Sequence, residues 1–247
     1  MLIKVPVPSC GEVVIKGTLN ESNNVVYISE FFGSPLAPKH LQSIVNCSIS
    51  LPGYGDAILD SKCLGSLLTW KQYGNCLAIA LKELNQPFTL IGNSQGAMVS
   101  IYCANMAPHL VQQLILYRIP TFLYLRTWLK EVYLNISKSI NSEIDFREFI
   151  ETIRPSTSPE IIKNLQYYGW IKSKKFYEGA SFSDLDPIVL NSLYQPVFLL
   201  ERDNLYDRIH PQEAFNLLYS LLPKQSRKKI NNIQSLFPQT HGNREIP

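Results

Sequence analysis

Charge is scarce in this chain of 247 residues: only 17% of them are Asp, Glu, Lys or Arg, and the formal net charge is +3. So weak a field leaves no electrostatic footprint for a polyanion, and no nucleic-acid partner is expected. The one basic cluster, Arg227, Lys228 and Lys229, reads as a solvated loop. Long apolar runs are also missing. No window approaches the roughly 18 apolar residues of a membrane span, and the N-terminal run is too short and too broken by proline for a secretory signal. The chain is therefore expected to lack a membrane span and to be cytoplasmic. Cysteine is sparse and unpatterned: Cys10, Cys47, Cys63, Cys76 and Cys103 form no CxxC pair and are not interleaved with histidine. That excludes a disulfide framework and a zinc site, and leaves free thiols in a reducing compartment. Internal repeats and low-complexity tracts are absent as well.

What is present is apolar material. Hydrophobic residues make up 45% of the chain, enough for one large core, and the length suits a single α/β domain. The first third holds short apolar runs closed by turn residues, EVVIKGTL, NVVYISEFFGSP and QSIVNCSISLPGYGD, which read as strands. From Gly65 to Leu84 the apolar positions recur at helical spacing until Asn85, Gln86 and Pro87 stop the run. FTLIG is then a near-continuous apolar strand of the kind buried on both faces, and NSQGAMVSIYCANMA reads as the helix after it. Another strand is expected near Val111 to Leu116. Strands alternating with helices predict a mostly parallel, doubly wound sheet. The core is expected over about 1–120 and 195–247. Between them, about 121–194, longer helical stretches with scattered aromatics, among them Trp128 and Trp170, read as a helical lid insertion. The parallel pattern resumes with QPVFLLERD, a helix from about Gln212 to Leu222, and a weak strand in KKINNIQSLF.

The chemistry centres on Gly92-Asn93-Ser94-Gln95-Gly96. A serine lifted out of a sharp strand-to-helix turn needs small residues two places before and after it, and a strand and a helix on either side; all are present. Ser94 is the expected nucleophile. Serine is also a favoured helix N-cap, the plainer reading of the same residue. A hydroxyl needs a base to take its proton, and that base needs an acid to orient it. Of four histidines, His40, His109 and His210 lie in loops or turns and read as solvated or capping residues. His241 lies in the polar loop PQTHGN after the last strand signal. Asp203 and Asp207, both after the FLL strand, compete as the acid. A tetrahedral oxyanion needs two N–H donors: Gln95, next to the nucleophile, and an amide in SEFFGSP, Phe31 with Phe32 as its neighbour.

SLPGYGDA at Ser50 to Ala57, SEFFGS at Ser29 to Ser34 and GNSQGA together resemble the proline-glycine loop, oxyanion loop and nucleophile elbow of the α/β-hydrolase superfamily. The resemblance covers nearly the whole chain and is closest to small bacterial esterases, the menaquinone-pathway synthase and enol-lactone hydrolases. It implies an α/β-hydrolase fold and the chain order Ser, acid, His, which selects His241. The family's D-x-[IV]-x-P-x-E turn matches at Asp207, which is favoured over Asp203. It further implies an acyl-enzyme hydrolysis of an ester, thioester or lactone, a small-molecule or carrier-bound acyl substrate, and neither cofactor nor metal. A hydrolase-fold protein that binds without turnover, or a triad-dependent C–C or C–O lyase, is the alternative. Oligomeric state is not implied. Ser29 and Glu30 stand where the family usually has His-Gly, Ser50 stands where it usually has Asp, and six residues follow His241.

Overall fold

The computed structural model describes residues 1–21, 24–30, 36–54, 57–58, 60, 69–120, 148, 185–201 and 210–237. Of the segment read as a lid, 121–147 and 149–184 lie outside the described residues, and Trp128 and Trp170 with them.

Strands form where apolar residues can be buried on both sides of a pleat. They are β1 (Leu2–Val7), β2 (Gly11–Gly17), β3 (Asn24–Ile28), β4 (Cys47–Ser50), β5 (Phe88–Asn93), β6 (Val111–Tyr117), β7 (Val197–Leu200) and β8 (Arg227–Ile230). Among the described residues they make one sheet in the order β1-β2-β4-β3-β5-β6-β7-β8. β2 runs antiparallel to β1 and β4, while β3 to β8 pair in parallel. Period-2 alternation divides the strand residues between two layers. Val26, Ile28, Leu90, Leu114 and Leu116 join the larger core, and Val25, Tyr27, Ile91, Ile115 and Tyr117 join a second one on the opposite face.

Helix α1 (Trp70–Leu84) begins at Thr69, whose hydroxyl accepts from the Gln72 amide while the Gln72 side chain accepts from the Thr69 amide. This reciprocal cap satisfies two donors that a helix start leaves open. The helix ends at Asn85 in the left-handed conformation, as the Asn-Gln-Pro stop predicts. Helix α2 (Gln95–Met106) is buried along its first ten residues and so is apolar all round. It packs on β5 and β6 and against α1, so close to the latter that a Cβ on Gly74 would overlap that of Tyr102.

Helix α3 (Pro187–Asn191) and the residues around it belong to the expected lid in sequence, yet Leu185, Leu190 and Leu193 are buried in the larger core. Asn105 donates to Ser192 Oγ at 2.6 Å and Asp186 N–H donates to the Tyr102 hydroxyl at 3.4 Å, tying this stretch to α2. Helix α4 (Gln212–Leu221) buries Ala214, Phe215 and Leu218.

The N-terminal run, too short and too broken by proline for a secretory signal, is β1, where Pro6 is tolerated because the strand has β2 on one side only. One sequence reading is corrected. Arg227, Lys228 and Lys229 are not a solvated loop but the edge strand β8. Arg227 donates to the carbonyls of Tyr219 and Ser220 and lies 4.4 Å over the Tyr219 ring. Charged residues on an edge strand also discourage pairing with another chain. Among the described residues, no helix is long and apolar enough to cross a membrane.

Candidate active site

The strand order reverses direction at β3 and β5, and the carboxyl ends of strands flanking such a point form the crevice in which ligands of open α/β sheets bind. Ser94 follows β5 at this place. Its amide donates to the Tyr117 carbonyl at 3.1 Å and its carbonyl accepts from Ala97 at 2.9 Å, so one residue closes the strand and starts α2. To do both it takes φ 56° and ψ −117°, a conformation that costs an L-residue on the order of 1–3 kcal/mol. The flanking glycines are required sterically. A Cβ on Gly92 would sit 2.6 Å from Ala97 Cα, and one on Gly96 would overlap the Ile28 carbonyl oxygen. The N-cap reading of Ser94 fails, since its side chain makes no cap hydrogen bond.

That side chain faces a histidine instead. His210 Nε2 lies 2.7 Å from Ser94 Oγ, and His210 is 1% exposed. The reading of His210 as a solvated or capping turn residue is thereby corrected. Pro211 opens α4, and docking of that helix through Ala214, Phe215 and Leu218 draws the preceding residue inward to the sheet's carboxyl end. The only local signal was its place just before a proline-led helix. His40 and His109 are exposed, as read. His241, Asp203, Asp207, Phe31 and Phe32 lie outside the described residues.

Gln95, 5% exposed, is the first residue of α2, and its amide has no carbonyl one turn earlier within the helix to donate to. That amide stands beside Ser94. Its side chain is anchored by the proline-glycine loop: Tyr54 Oη donates to Gln95 Oε1 at 3.1 Å, and the Tyr54 ring meets Tyr73 edge-on at 5.7 Å. Tyr73 in turn donates to the Pro52 carbonyl at 3.3 Å. Burial pushes both phenols well above their usual range and keeps them neutral donors.

On the other side, Glu30 Oε2 lies 3.0 Å from Arg118 Nη1, and Arg118 Nη2 lies 3.4 Å from His210 Nδ1. Arg118 is thus engaged within the protein. Below this pair, Asn93 Nδ2 donates to the Tyr27 hydroxyl at 3.2 Å. Burial pushes the Tyr27 phenol up to about 12.

No protein-family model matches the chain, and no curated protein matches it. Solved structures do. An esterase from Exiguobacterium antarcticum is 12% identical with a TM-score of 0.74, over 93% of this chain and 90% of that one. A thermophilic esterase from Thermogutta terrifontis is 17% identical with a TM-score of 0.69, over 93% and 88%. An enzyme that degrades N-acyl homoserine lactones is 15% identical with a TM-score of 0.68, over 92% and 91%. At such identities the likeness is one of fold, and the fold is that of the α/β-hydrolases.

Proposed function

We propose that this protein is a serine hydrolase that cleaves an ester, thioester or lactone, with Ser94 as nucleophile and His210 as general base. The observation that carries the reading is the 2.7 Å contact between His210 Nε2 and Ser94 Oγ, made by a serine whose backbone is held at φ 56°. A buried imidazole at that distance can take the hydroxyl proton as Oγ attacks the substrate carbonyl carbon. The Gln95 amide meets the negative charge that develops on the carbonyl oxygen. As the intermediate collapses, the imidazolium returns the proton to the leaving oxygen or sulfur, and water then cleaves the acyl-serine by the same steps in reverse roles. An amide near Phe31 as second oxyanion donor, and Asp207 or Asp203 as the acid that orients the histidine, complete the proposal from the sequence side. The substrate class follows the esterases and the lactone-degrading enzyme that share the fold, and takes a small-molecule or carrier-bound acyl group. We also take the protein as cytoplasmic, in keeping with its sparse and unpatterned cysteines.

Labelling with a fluorophosphonate probe tests this, because only an activated serine reacts quickly. The adduct is expected on Ser94, lost in Ser94→Ala, and slowed on the order of 10⁴-fold or more in His210→Ala. No adduct on Ser94 in the unmodified chain favours a fold kept for binding without turnover. If His241→Ala abolishes labelling and His210→Ala does not, the base is His241 and the hydrolase reading stands.

A further inference from the structure

The Ser94–Gln95 peptide is trans and planar, so its carbonyl and its N–H point in opposite directions. Whatever fixes this peptide aims the Gln95 amide. The Ala97 N–H holds the carbonyl at 2.9 Å, but Ala97 belongs to α2, so that bond fixes the peptide within its own helix and not against its surroundings. The Ser94 amide is held from β6 at 3.1 Å, on the strand side of the strained residue. Strain such as that at Ser94, φ 56° and ψ −117°, persists only where neighbours over-determine it. On the helix side Tyr54 is such a neighbour from outside α2: its Oη donates to Gln95 Oε1 at 3.1 Å.

We propose that Tyr54 is a positioning residue, tethering the first turn of α2 so that the Gln95 N–H meets the charge developing on the substrate oxygen. The inference rests on the reading of Ser94 as nucleophile and of the Gln95 amide as oxyanion donor. Tyr54 can act as a tether because it is itself fixed. Its amide donates to the Leu51 carbonyl at 2.8 Å and its carbonyl accepts from Ala57 at 2.9 Å, closing a tight loop after β4. Tyr73 of α1 is fully buried, donates to the Pro52 carbonyl of the same loop at 3.3 Å and meets the Tyr54 ring edge-on. The loop is thereby pinned to α1 and reaches across to α2. Burial keeps the Tyr54 phenol neutral, so it stays a donor, and Gln95 is buried too, so its carboxamide oxygen gains little from water. Tyr54 acts through Gln95, and Gln95 acts through its backbone.

The test is fluorophosphonate labelling of Ser94 over a range of probe concentrations in Tyr54→Phe, Gln95→Met and the double variant, with urea unfolding of each. Tyr54→Phe keeps the ring against Tyr73 and removes only the donor. The maximal labelling rate should fall about three- to thirtyfold while the half-saturating concentration stays nearly unchanged, because an oxyanion donor acts in the transition state. The urea midpoint should fall as well, since a buried oxygen is left unmet. Gln95→Met removes that oxygen, so the double variant should regain the midpoint while its rate stays low. Its rate should be no lower than that of the slower single variant, since one partner acts only through the other. A bond that serves stability alone would lower the midpoint in Tyr54→Phe and leave the rate at the parent value, which would overturn the proposal. So would a rate regained together with the midpoint in the double variant, or a change in half-saturation alone. Where Tyr54→Phe does not fold, the double variant, with no polar atom stranded, decides by its rate. A labelled parent with unaffected variants removes the tether alone; an unlabelled parent removes the reading beneath it.

Discussion

A methyl group at Gly96 has nowhere to go: it would overlap the Ile28 carbonyl oxygen and stand 2.8 Å from that of Ser29. Backbone cannot yield as a flexible side chain can, so Gly96→Ala should push α2 away from β3. The expected loss is about 1–3 kcal/mol in chemical denaturation, with Ser94 no longer labelled. A midpoint unchanged from the parent would mean that the turn is softer than its contacts imply. Ser94 shows the opposite balance. Relieving its positive φ with Ser94→Gly should raise stability by up to about 1–3 kcal/mol while abolishing labelling, and Ser94→Ala should not bring that gain. Equal stabilities for the two variants would show that the strain is not stored at this residue. The elbow was legible in the sequence because its glycine requirement is met within five consecutive residues. His210 was not, because its contact with Ser94 spans 116 positions and no local pattern separates a histidine in a solvated turn from one drawn in by a docking helix.

The helix that follows Ser94 has its own anchor at the far end. Gln195 is 2% exposed and its Nε2 donates to the carbonyls of Ala104 at 3.2 Å and Pro108 at 3.1 Å, capping the last turn of α2 and the turn after it. Gln195→Leu would leave those carbonyls buried and unmet, at a cost of about 1–3 kcal/mol by urea denaturation. Its effect on Ser94 labelling should be small, since the lost bonds lie at the other end of the helix. A loss below a few tenths of a kcal/mol would show that the carbonyls find other partners. The elements themselves were read well where burial is two-sided and the pattern strong, as for β5, α2 and β6. β1 and β8 gave weaker signals for a common reason. Both lie at sheet edges, where one row of backbone groups is unpaired, so proline and lysine are admitted and the apolar signal weakens.

Buried phenols set how the whole molecule responds to alkali. Tyr27 has its phenol raised from 10.0 to about 12, chiefly by desolvation and then by the Glu30 charge, and Tyr54, Tyr73 and Tyr117 are raised too. The folded chain thus holds protons that the unfolded chain releases near pH 10. These groups contribute stability in full below pH 10, and that contribution falls as pH rises from 10 through about 12. Tyrosinate absorbance followed against circular dichroism should show part of the tyrosine titrating late and together with loss of structure. Complete titration near pH 10 with the fold intact would contradict this. The sequence by itself determined the parts of this protein that depend on neighbours along the chain: the alternation that makes the sheet, the stop at Asn85, and the turn that lifts Ser94. Tertiary structure alone decided which residues meet Ser94. Glu30, Arg118 and His210 come from the ends of β3 and β6 and the start of α4, and the parallel order of the sheet brings those ends to one crevice. Polar side chains in separate loops have no periodicity to mark that meeting in advance.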